Sequence, residues 1–218
     1  MWNKIQRIYV WDHYQVYPKW KVNSNTVAYY PLTSDVKDYS GNGYNFSVYS
    51  GSVSYSNNMV TTNGKLSRNN LITSLGNNFT ILMYTVQANG ERFLFTSNDR
   101  NYAQFSIWTT TSWARFMRWN NNVWYWPNVA LTQDGIPHLI VWVRENTSTV
   151  KLYIDWELKW TSTVTVSIPS NTYMVLWNTV SNTVSAKFWN LIIENRAWTA
   201  QEIVDYYNQT KATYQWFN

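Results

Sequence analysis

Asp155 and Glu157 are the two carboxylates whose spacing could support acid–base chemistry. Alternate residues of a β-strand share one face, and glycoside hydrolases use two closely placed carboxyl groups. The surrounding segment, Lys151-Leu-Tyr-Ile-Asp-Trp-Glu-Leu158, alternates like a hairpin strand that runs into a tight turn, which places Asp155 in the turn rather than in mid-strand. No third acid follows. We therefore expect a chain that is not an enzyme, with glycan hydrolysis as the weaker alternative.

A second chemistry is suggested by tryptophans that alternate with amides and charged groups. Aromatic rings stack on the apolar faces of sugars, while amide, carboxylate and guanidinium groups pair with hydroxyls. The predicted carbohydrate-binding residues are Trp108, Trp113, Trp119, Asn120, Asn122 and Trp124, with Asp99 and Arg100 in a second polar loop. In the alternative interpretation, alternate members of the segment are core residues and the rest belong to turns.

Asp38 begins the best candidate for a cation site, the loop Asp38-Tyr-Ser-Gly-Asn-Gly43. Calcium prefers oxygen ligands from carboxylates, amides and backbone carbonyls, so the loop predicts calcium bound at Asp38. In the alternative, Asp38 and Ser40 hydrogen-bond a glycine-rich turn. Acids are sparse elsewhere, which argues against a highly charged cage.

Two isolated titratable residues indicate structural roles. His138 follows Pro137 at the start of an apolar strand, and we expect it to be structural rather than a general base. Glu194 is isolated in sequence and is expected at a strand edge or on the surface.

The composition favours an uncharged polar partner. Only 13% of the 218 residues are charged, while 45% are hydrophobic, and the net charge is +5. The 17 Lys and Arg residues are scattered, so we predict no nucleic-acid binding. No apolar stretch is long enough to span a bilayer, so we predict no membrane insertion. The absence of cysteine excludes disulfides and thiolate metal sites.

The pattern along the chain predicts an all-β fold. Short alternating segments separated by turn residues are typical of a sandwich or barrel. Predicted strands lie near 26–32, 44–49, 52–55, 59–61, 79–88, 91–97, 102–108, 113–119, 123–126, 137–144, 149–155, 158–165, 172–176 and 186–194. Residues 1–24 are predicted to form an N-terminal hairpin extension, residues 25–210 the sandwich and residues 211–218 a tail.

One helix has a clear start signal. Thr199-Ala-Gln-Glu202 matches the capping box, in which the Thr hydroxyl and the Glu carboxylate each accept a hydrogen bond from the other residue's backbone N–H. Ile203, Tyr206 and Tyr207 then recur at helical spacing, so a helix is predicted to run to about Thr210.

The order of these elements resembles the laminin-G-like, concanavalin-A-like jelly roll family. The resemblance rests on Val27-Ala-Tyr-Tyr-Pro-Leu-Thr33, on the loop from Asp38 to Gly43, on the hairpin around Asp155, and on the strand and helix from Ala186 to Ile203. It implies a two-sheet antiparallel jelly roll with a short C-terminal helix. It also implies a glycan- or protein-binding module, and an aspartate like Asp38 sometimes contributes to calcium binding in that family.

Trp156 stands where that family usually has glycine, after the residues Tyr-Ile-Asp. Glycine is also common where Trp177 and Trp189 lie. Turn positions at positive φ accept glycine and resist bulky side chains, so we expect either a different turn type or strain at Trp156. The sharper hypothesis is a source organism, or its phage, that reads the stop codon UGA as glycine. UGG codons at these positions would contradict it.

The sequence thus favours a non-catalytic, lectin-like module for adhesion to a surface glycan. The alternative is a structural or interaction protein of a phage virion, with assembly on a partner protein through the N-terminal hairpin. Since the N-terminus shows no signal-peptide core, the expected location is extracellular or on a virion surface, reached by lysis or within a particle.

Overall fold

Sixteen strands and one helix form within the residues that the computed structural model describes. These residues are 20–56, 59–69, 75–86, 92–96, 106–109, 113–120, 123–125, 129–131, 134–163, 173–178 and 186–211. The first eight strands are β1 (Thr26–Tyr30), β2 (Ser47–Ser50), β3 (Val53–Ser56), β4 (Met59–Thr62), β5 (Lys65–Asn69), β6 (Phe79–Val86), β7 (Arg92–Thr96) and β8 (Ser106–Thr109). The others are β9 (Trp113–Asn120), β10 (Val123–Tyr125), β11 (Val129–Ala130), β12 (Pro137–Glu145), β13 (Thr149–Ile154), β14 (Glu157–Ser162), β15 (Tyr173–Asn178) and β16 (Ala186–Glu194), followed by α1 (Ala200–Lys211).

The strands form two antiparallel sheets. The first sheet has the order β14-β13-β12-β6-β16-β4-β3, with β1 also paired to β16. The second has the order β10-β9-β8-β7-β15-β5-β2, with β11 also paired to β9. The predicted all-β, two-sheet antiparallel sandwich with a short C-terminal helix is confirmed.

The main core lies between the two sheets. Ile140 and Trp142 of β12 are buried there together with Leu66 of β5 and Leu176 of β15. Because successive strand residues point to opposite faces, Ile140 and Trp142 enter this core from the same face of β12.

The opposite face of the first sheet is also buried, under α1. Leu139, Val141 and Val143 of β12 form a second cluster with Ile203 and Tyr206 of the helix. The strand β12 is therefore covered on both faces, which explains its continuous apolar run from residue 139 to 143.

The helix begins at the predicted capping box. The N–H of Thr199 donates to Oε2 of Glu202 at 2.8 Å, and the N–H of Glu202 donates to the Thr199 hydroxyl at 3.2 Å. Two buried hydrogen bonds then fix the helix to the sheet. The amide of Asn190 donates to the Tyr206 hydroxyl at 2.6 Å, and the hydroxyls of Tyr84 and Thr210 lie 2.5 Å apart.

A bent hairpin joins the two sheets at one edge. Strands β2 and β5 pair in the second sheet, and their continuations β3 and β4 pair in the first. The bend lies at Gly51-Ser52 on one arm and at Asn63-Gly64 on the other. The N–H of Ser52 donates to Oδ1 of Asn63 at 2.7 Å, and a Cβ placed on Gly64 would lie 2.0 Å from the Ser50 carbonyl oxygen. Glycine is therefore required for the two arms to cross so closely.

The strand predictions missed β5 and β11. Within β5 the side chain of Leu66 is buried between half-exposed Lys65 and Ser67, so the segment carries too weak an apolar pattern to be recognised. The strand β11 spans only two residues. The predicted hairpin at 1–24 and the tail at 211–218 lie almost entirely outside the described residues.

Candidate functional site

The predicted carbohydrate-binding residues fall on three neighbouring strands at one end of the second sheet. Trp108 lies in β8, Trp113, Trp119 and Asn120 in β9, and Trp124 in β10. The strands β8, β9 and β10 are adjacent in that order. Asp99, Arg100 and Asn122 lie outside the described residues.

The strand register places four tryptophan positions on one face. Trp119 is the direct partner of Trp124, and Trp108 is the partner of Arg115, two residues along β9 from Trp113. Directly paired positions of an antiparallel ladder lie on the same face. Because strand positions alternate between faces, positions 113, 115 and 119 share a face as well.

That face is the outer one. Ala114 and its partner Val129 are both buried in the core between the sheets. The neighbouring pair joins Trp113 to Ala130, and Ala130 is exposed. The alternation therefore assigns positions 108, 113, 119 and 124 to the side of the sheet that faces away from the core. This is the geometry that a stacking surface for a ligand requires.

The Asp38 carboxylate organises its own loop. Its Oδ1 accepts hydrogen bonds from the N–H groups of Tyr29 at 3.0 Å and Ser40 at 2.8 Å. Its Oδ2 accepts from the Ser40 hydroxyl at 2.8 Å and the Tyr44 N–H at 2.9 Å. The described part of the chain contains no group of three or more acidic, His or Cys residues arranged for a metal. The residues present thus fit the turn role better than a cage, and calcium at Asp38 stays a prediction.

His138 is held between two aspartates. Its Nδ1 lies 3.1 Å from Oδ2 of Asp155, and its Nε2 lies 3.2 Å from Oδ1 of Asp134. Burial opposes protonation, but the hydrogen bonds and negative charges of Asp155 and Asp134 outweigh it, so the pKa of His138 is raised. The residue joins two turns, as expected for a structural histidine.

The two carboxylates with catalytic spacing are committed to local contacts. Asp155 lies in the turn between β13 and β14, where its Oδ1 accepts the Leu139 N–H at 3.1 Å. Glu157 forms an ion pair with Lys159. The arrangement found for Asp155 is the one that the hairpin pattern predicts.

Of the two alternatives for Trp156, strain from a glycine-like backbone is wrong, and a turn of a different type agrees with the structure. The residue at positive φ in this turn is Asp155, at 58°, and near Trp189 it is Asn190, at 54°. Asp and Asn tolerate the left-handed region better than other non-glycine residues, so neither tryptophan is forced into it. The codon hypothesis itself stays a prediction.

Sequence reasoning assigned no binding role to the surface around Trp156. The Trp156 ring contacts the Tyr207 ring of α1, with centroids 4.7 Å apart, and Lys211 Nζ lies 5.7 Å from the Tyr207 centroid. Trp156 lies more than 50 positions from Tyr207 and Lys211 in sequence, so no local pattern could have joined it to them.

The expectation of an exposed or edge position for Glu194 is also wrong. Glu194 is fully buried at the end of β16. Its Oε1 accepts from the Asn23 amide at 2.9 Å and the Thr26 hydroxyl at 3.2 Å. Its Oε2 accepts from the Trp198 indole N–H at 2.7 Å. A buried carboxylate needs such donors, and two of them, Asn23 and Thr26, come from a segment distant in sequence.

The backbone fold is similar to that of several toxin binding domains. The binding domain of Paraclostridial Mosquitocidal Protein 1 matches with a TM-score of 0.70 at 17% identity, over 91% of this chain and 54% of that chain. The binding domain of botulinum neurotoxin DC in complex with rat synaptotagmin II matches with a TM-score of 0.66 at 15% identity, over 87% and 52%. The same toxin domain in complex with SialylT gives 0.67 at 16% identity, over 85% and 51%.

At these identities the likeness concerns the fold alone. The chain spans about half the length of the structures that it matches. No protein-family model matches the sequence, and no curated protein does. Among the described residues, no helix is long and apolar enough to cross a membrane.

Proposed function

We propose that this chain is a non-catalytic carbohydrate-binding module that attaches to a surface glycan. The observation that carries the proposal is the register of β8, β9 and β10, which assigns four tryptophan positions to one outward face. Aromatic residues gathered on an outer face are what stacking on sugar rings requires, and Asn120 at the end of β9 adds an amide for hydroxyl groups.

The structural neighbours support a binding role. One of the matching toxin domains is in complex with SialylT, and cell entry of botulinum neurotoxin type C, another match, depends on interaction with two ganglioside molecules. The antiparallel sandwich and its capped helix also agree with membership of the laminin-G-like, concanavalin-A-like jelly rolls, which we propose as the finer family. The proposed site of action is extracellular or on a virion surface.

Protein binding is the second candidate. It is favoured by the neighbour in complex with rat synaptotagmin II. In this alternative the chain is an interaction or structural domain, for example of a phage particle, and residues 1–24 pair with a partner protein. Sugar binding would then be incidental.

A glycan array with the purified chain, followed by calorimetry at low and high salt, tests the proposal. A neutral ligand held by stacking should bind almost independently of salt, unlike a ligand held through phosphates. By analogy with aromatic stacking on bases, Trp119→Ala and Trp124→Ala should each cost about 1–3 kcal/mol of binding free energy.

Tyr49→Ala is the matched control. Tyr49 is 72% exposed on β2, at the opposite edge of the same sheet, so its loss should leave glycan binding unchanged. If the array shows no glycan at either salt concentration, and the chain associates through residues 1–24, the protein-binding alternative replaces the proposal.

A further inference from the structure

The hairpin between β13 and β14 presents an exposed tryptophan on a fixed backbone. The N–H of Asp155 donates to the Leu139 carbonyl at 2.7 Å, and the Asp155 carboxylate accepts the Leu139 N–H and contacts His138. These three contacts tie the turn to β12. Trp156, the next residue, is 45% exposed. Because the contacts of Asp155 fix the turn, the backbone at Trp156 is positioned before any ligand arrives.

The helix supports the tryptophan ring from one side. Tyr207 of α1 is half-buried, and its ring is inclined by 47° to that of Trp156, with the centroids 4.7 Å apart. A ring held by an aromatic neighbour loses little conformational entropy on binding. Trp156 therefore forms a pre-organised platform at the junction of the hairpin and the helix.

The polar groups around this platform are balanced in charge. Asp155, the residue before Trp156, supplies one carboxylate, and Lys211, whose Nζ lies 5.7 Å from the Tyr207 centroid, supplies one amine. A platform with donors and acceptors of both signs matches the hydroxyl groups of an uncharged ligand, while neither sign dominates to select an ion.

We propose that Trp156, supported by Tyr207, is a second carbohydrate subsite that takes an uncharged pyranose. The apolar face of the sugar would stack on the exposed part of the indole, and its hydroxyls would contact the Asp155 carboxylate and the Lys211 amine. The inference rests on the proposed function. It adds a site on the first sheet, whereas the tryptophan positions of β8–β10 lie on the second.

The gene sequence gives the first check. The subsite and the codon hypothesis are alternatives at position 156: a UGG codon supports the subsite, and a UGA codon read as glycine in the source organism would remove the platform and overturn it.

The binding test follows the indole N–H of Trp156 by ¹H–¹⁵N NMR, assigned from the signal that Trp156→Phe removes. Lactose, maltose and N,N′-diacetylchitobiose serve as uncharged probes, and 3′-sialyllactose as the charged comparison. At least one uncharged probe should shift the signal saturably at millimolar concentration. The subsite is overturned if none does, or if only 3′-sialyllactose does.

Variants distinguish the platform from a structural contact. Trp156→Ala should weaken binding of the responsive probe at this site by about tenfold or more, measured by saturation-transfer difference NMR. Trp156→Phe keeps an aromatic ring and should retain most of the binding. Leu158→Ala removes a 51% exposed side chain from the same hairpin and should change nothing. Equal affinity for parent and Trp156→Ala would contradict the subsite.

The glycan array distinguishes a failure of the second subsite from a failure of the proposed function. If the array shows binding and the Trp156 signal does not respond, the second subsite is wrong while the proposed function stands. If the array shows no glycan and no indole signal responds, both are wrong.

Discussion

The indole N–H of Trp198 donates to Oε2 of Glu194, with the two atoms 2.7 Å apart in the interior of the protein. Nε of Arg196 lies 2.8 Å from the same oxygen, and the Asn23 amide donates to the other oxygen. One carboxylate therefore joins the segment that enters β1 to the segment that enters α1.

Removal of the Glu194 carboxylate should destabilise the folded protein. Glu194→Ala leaves the buried donors of Asn23, Thr26 and Trp198 without their acceptor, and should lower the free energy of unfolding by about 1–3 kcal/mol for each donor left unsatisfied. Glu194→Gln keeps the shape and one acceptor oxygen, so it should lose less. Urea denaturation of both variants measures the difference, and an unchanged midpoint for Glu194→Ala would show that the contact contributes nothing.

The contribution of His138 to stability should depend on pH. Its pKa is raised in the folded state, since the hydrogen bonds and charges of Asp155 and Asp134 outweigh the opposing effect of burial. Protonation therefore stabilises the fold. This stability is complete below the unfolded pKa of about 6.5 and is lost as the pH rises through the higher folded-state value.

His138→Gln removes the titrating group and tests that dependence. The difference in unfolding free energy between parent and variant should be greater near pH 5.5 than near pH 8.5, values that bracket the unfolded pKa of about 6.5. Urea titrations at both pH values provide the measurement. If the difference in unfolding free energy between parent and variant does not change with pH, the raised pKa of His138 is contradicted.

Thr199→Ala should cost about 1 kcal/mol of stability, the usual loss when a helix N-cap is removed. The Thr199 hydroxyl accepts the Glu202 N–H at 3.2 Å, and alanine leaves that donor without its side-chain acceptor. Thr199→Ser is the control, because it keeps the hydroxyl and should stay close to the parent. If both variants melt at the parent temperature, Thr199 does not act as the cap.

Gly64→Ala should destabilise the protein by about 1–3 kcal/mol, the range for overpacked sites. The added methyl would meet the Ser50 carbonyl oxygen and Cα of Gly51, which are backbone atoms and cannot rotate away. Gly76→Ala is the matched control, since a Cβ there meets nothing within 4 Å. Thermal unfolding of the two variants should differ clearly, and equal melting temperatures would contradict the tight crossing.

Calcium at Asp38 can be tested by chelation. A cation that binds only the folded state raises the melting temperature by mass action, so a bound calcium predicts that EDTA lowers it. Asp38→Asn should then remove the response to EDTA. A parent protein that does not respond leaves Asp38 as the acceptor of four hydrogen bonds that shapes its loop.

The sequence predicts the sandwich well because buried strands have alternating or continuous apolar patterns. Every residue of β12 from Pro137 to Arg144 is buried, and such a run is recognisable without tertiary information. The capping box is equally local, since both partners lie within four residues. By contrast β5 is missed, because its sequence Lys-Leu-Ser-Arg-Asn has a single apolar residue, Leu66, between polar neighbours.

The candidate sites depend on contacts that no local pattern records. The hairpin pattern predicts a turn at Asp155, yet the ring that supports Trp156 comes from α1. Glu194 carries no local sign of burial, because two of its donors, Asn23 and Thr26, come from the other end of the chain. The pairing of Trp119 with Trp124 is easier to predict than these contacts, since the two positions lie on adjacent strands close in sequence.

The position of β16 has a consequence for biosynthesis. This strand lies between β6 on one side and β4 and β1 on the other, and Thr26 contacts Glu194 across 168 residues of sequence. Until residue 194 has left the ribosome, β6 and β1 have no shared partner and the first sheet cannot close. Pairing at such separation is slow, so the nascent chain exposes the apolar faces of β6 and β12 during synthesis, and that interval is when aggregation or chaperone capture would compete with folding.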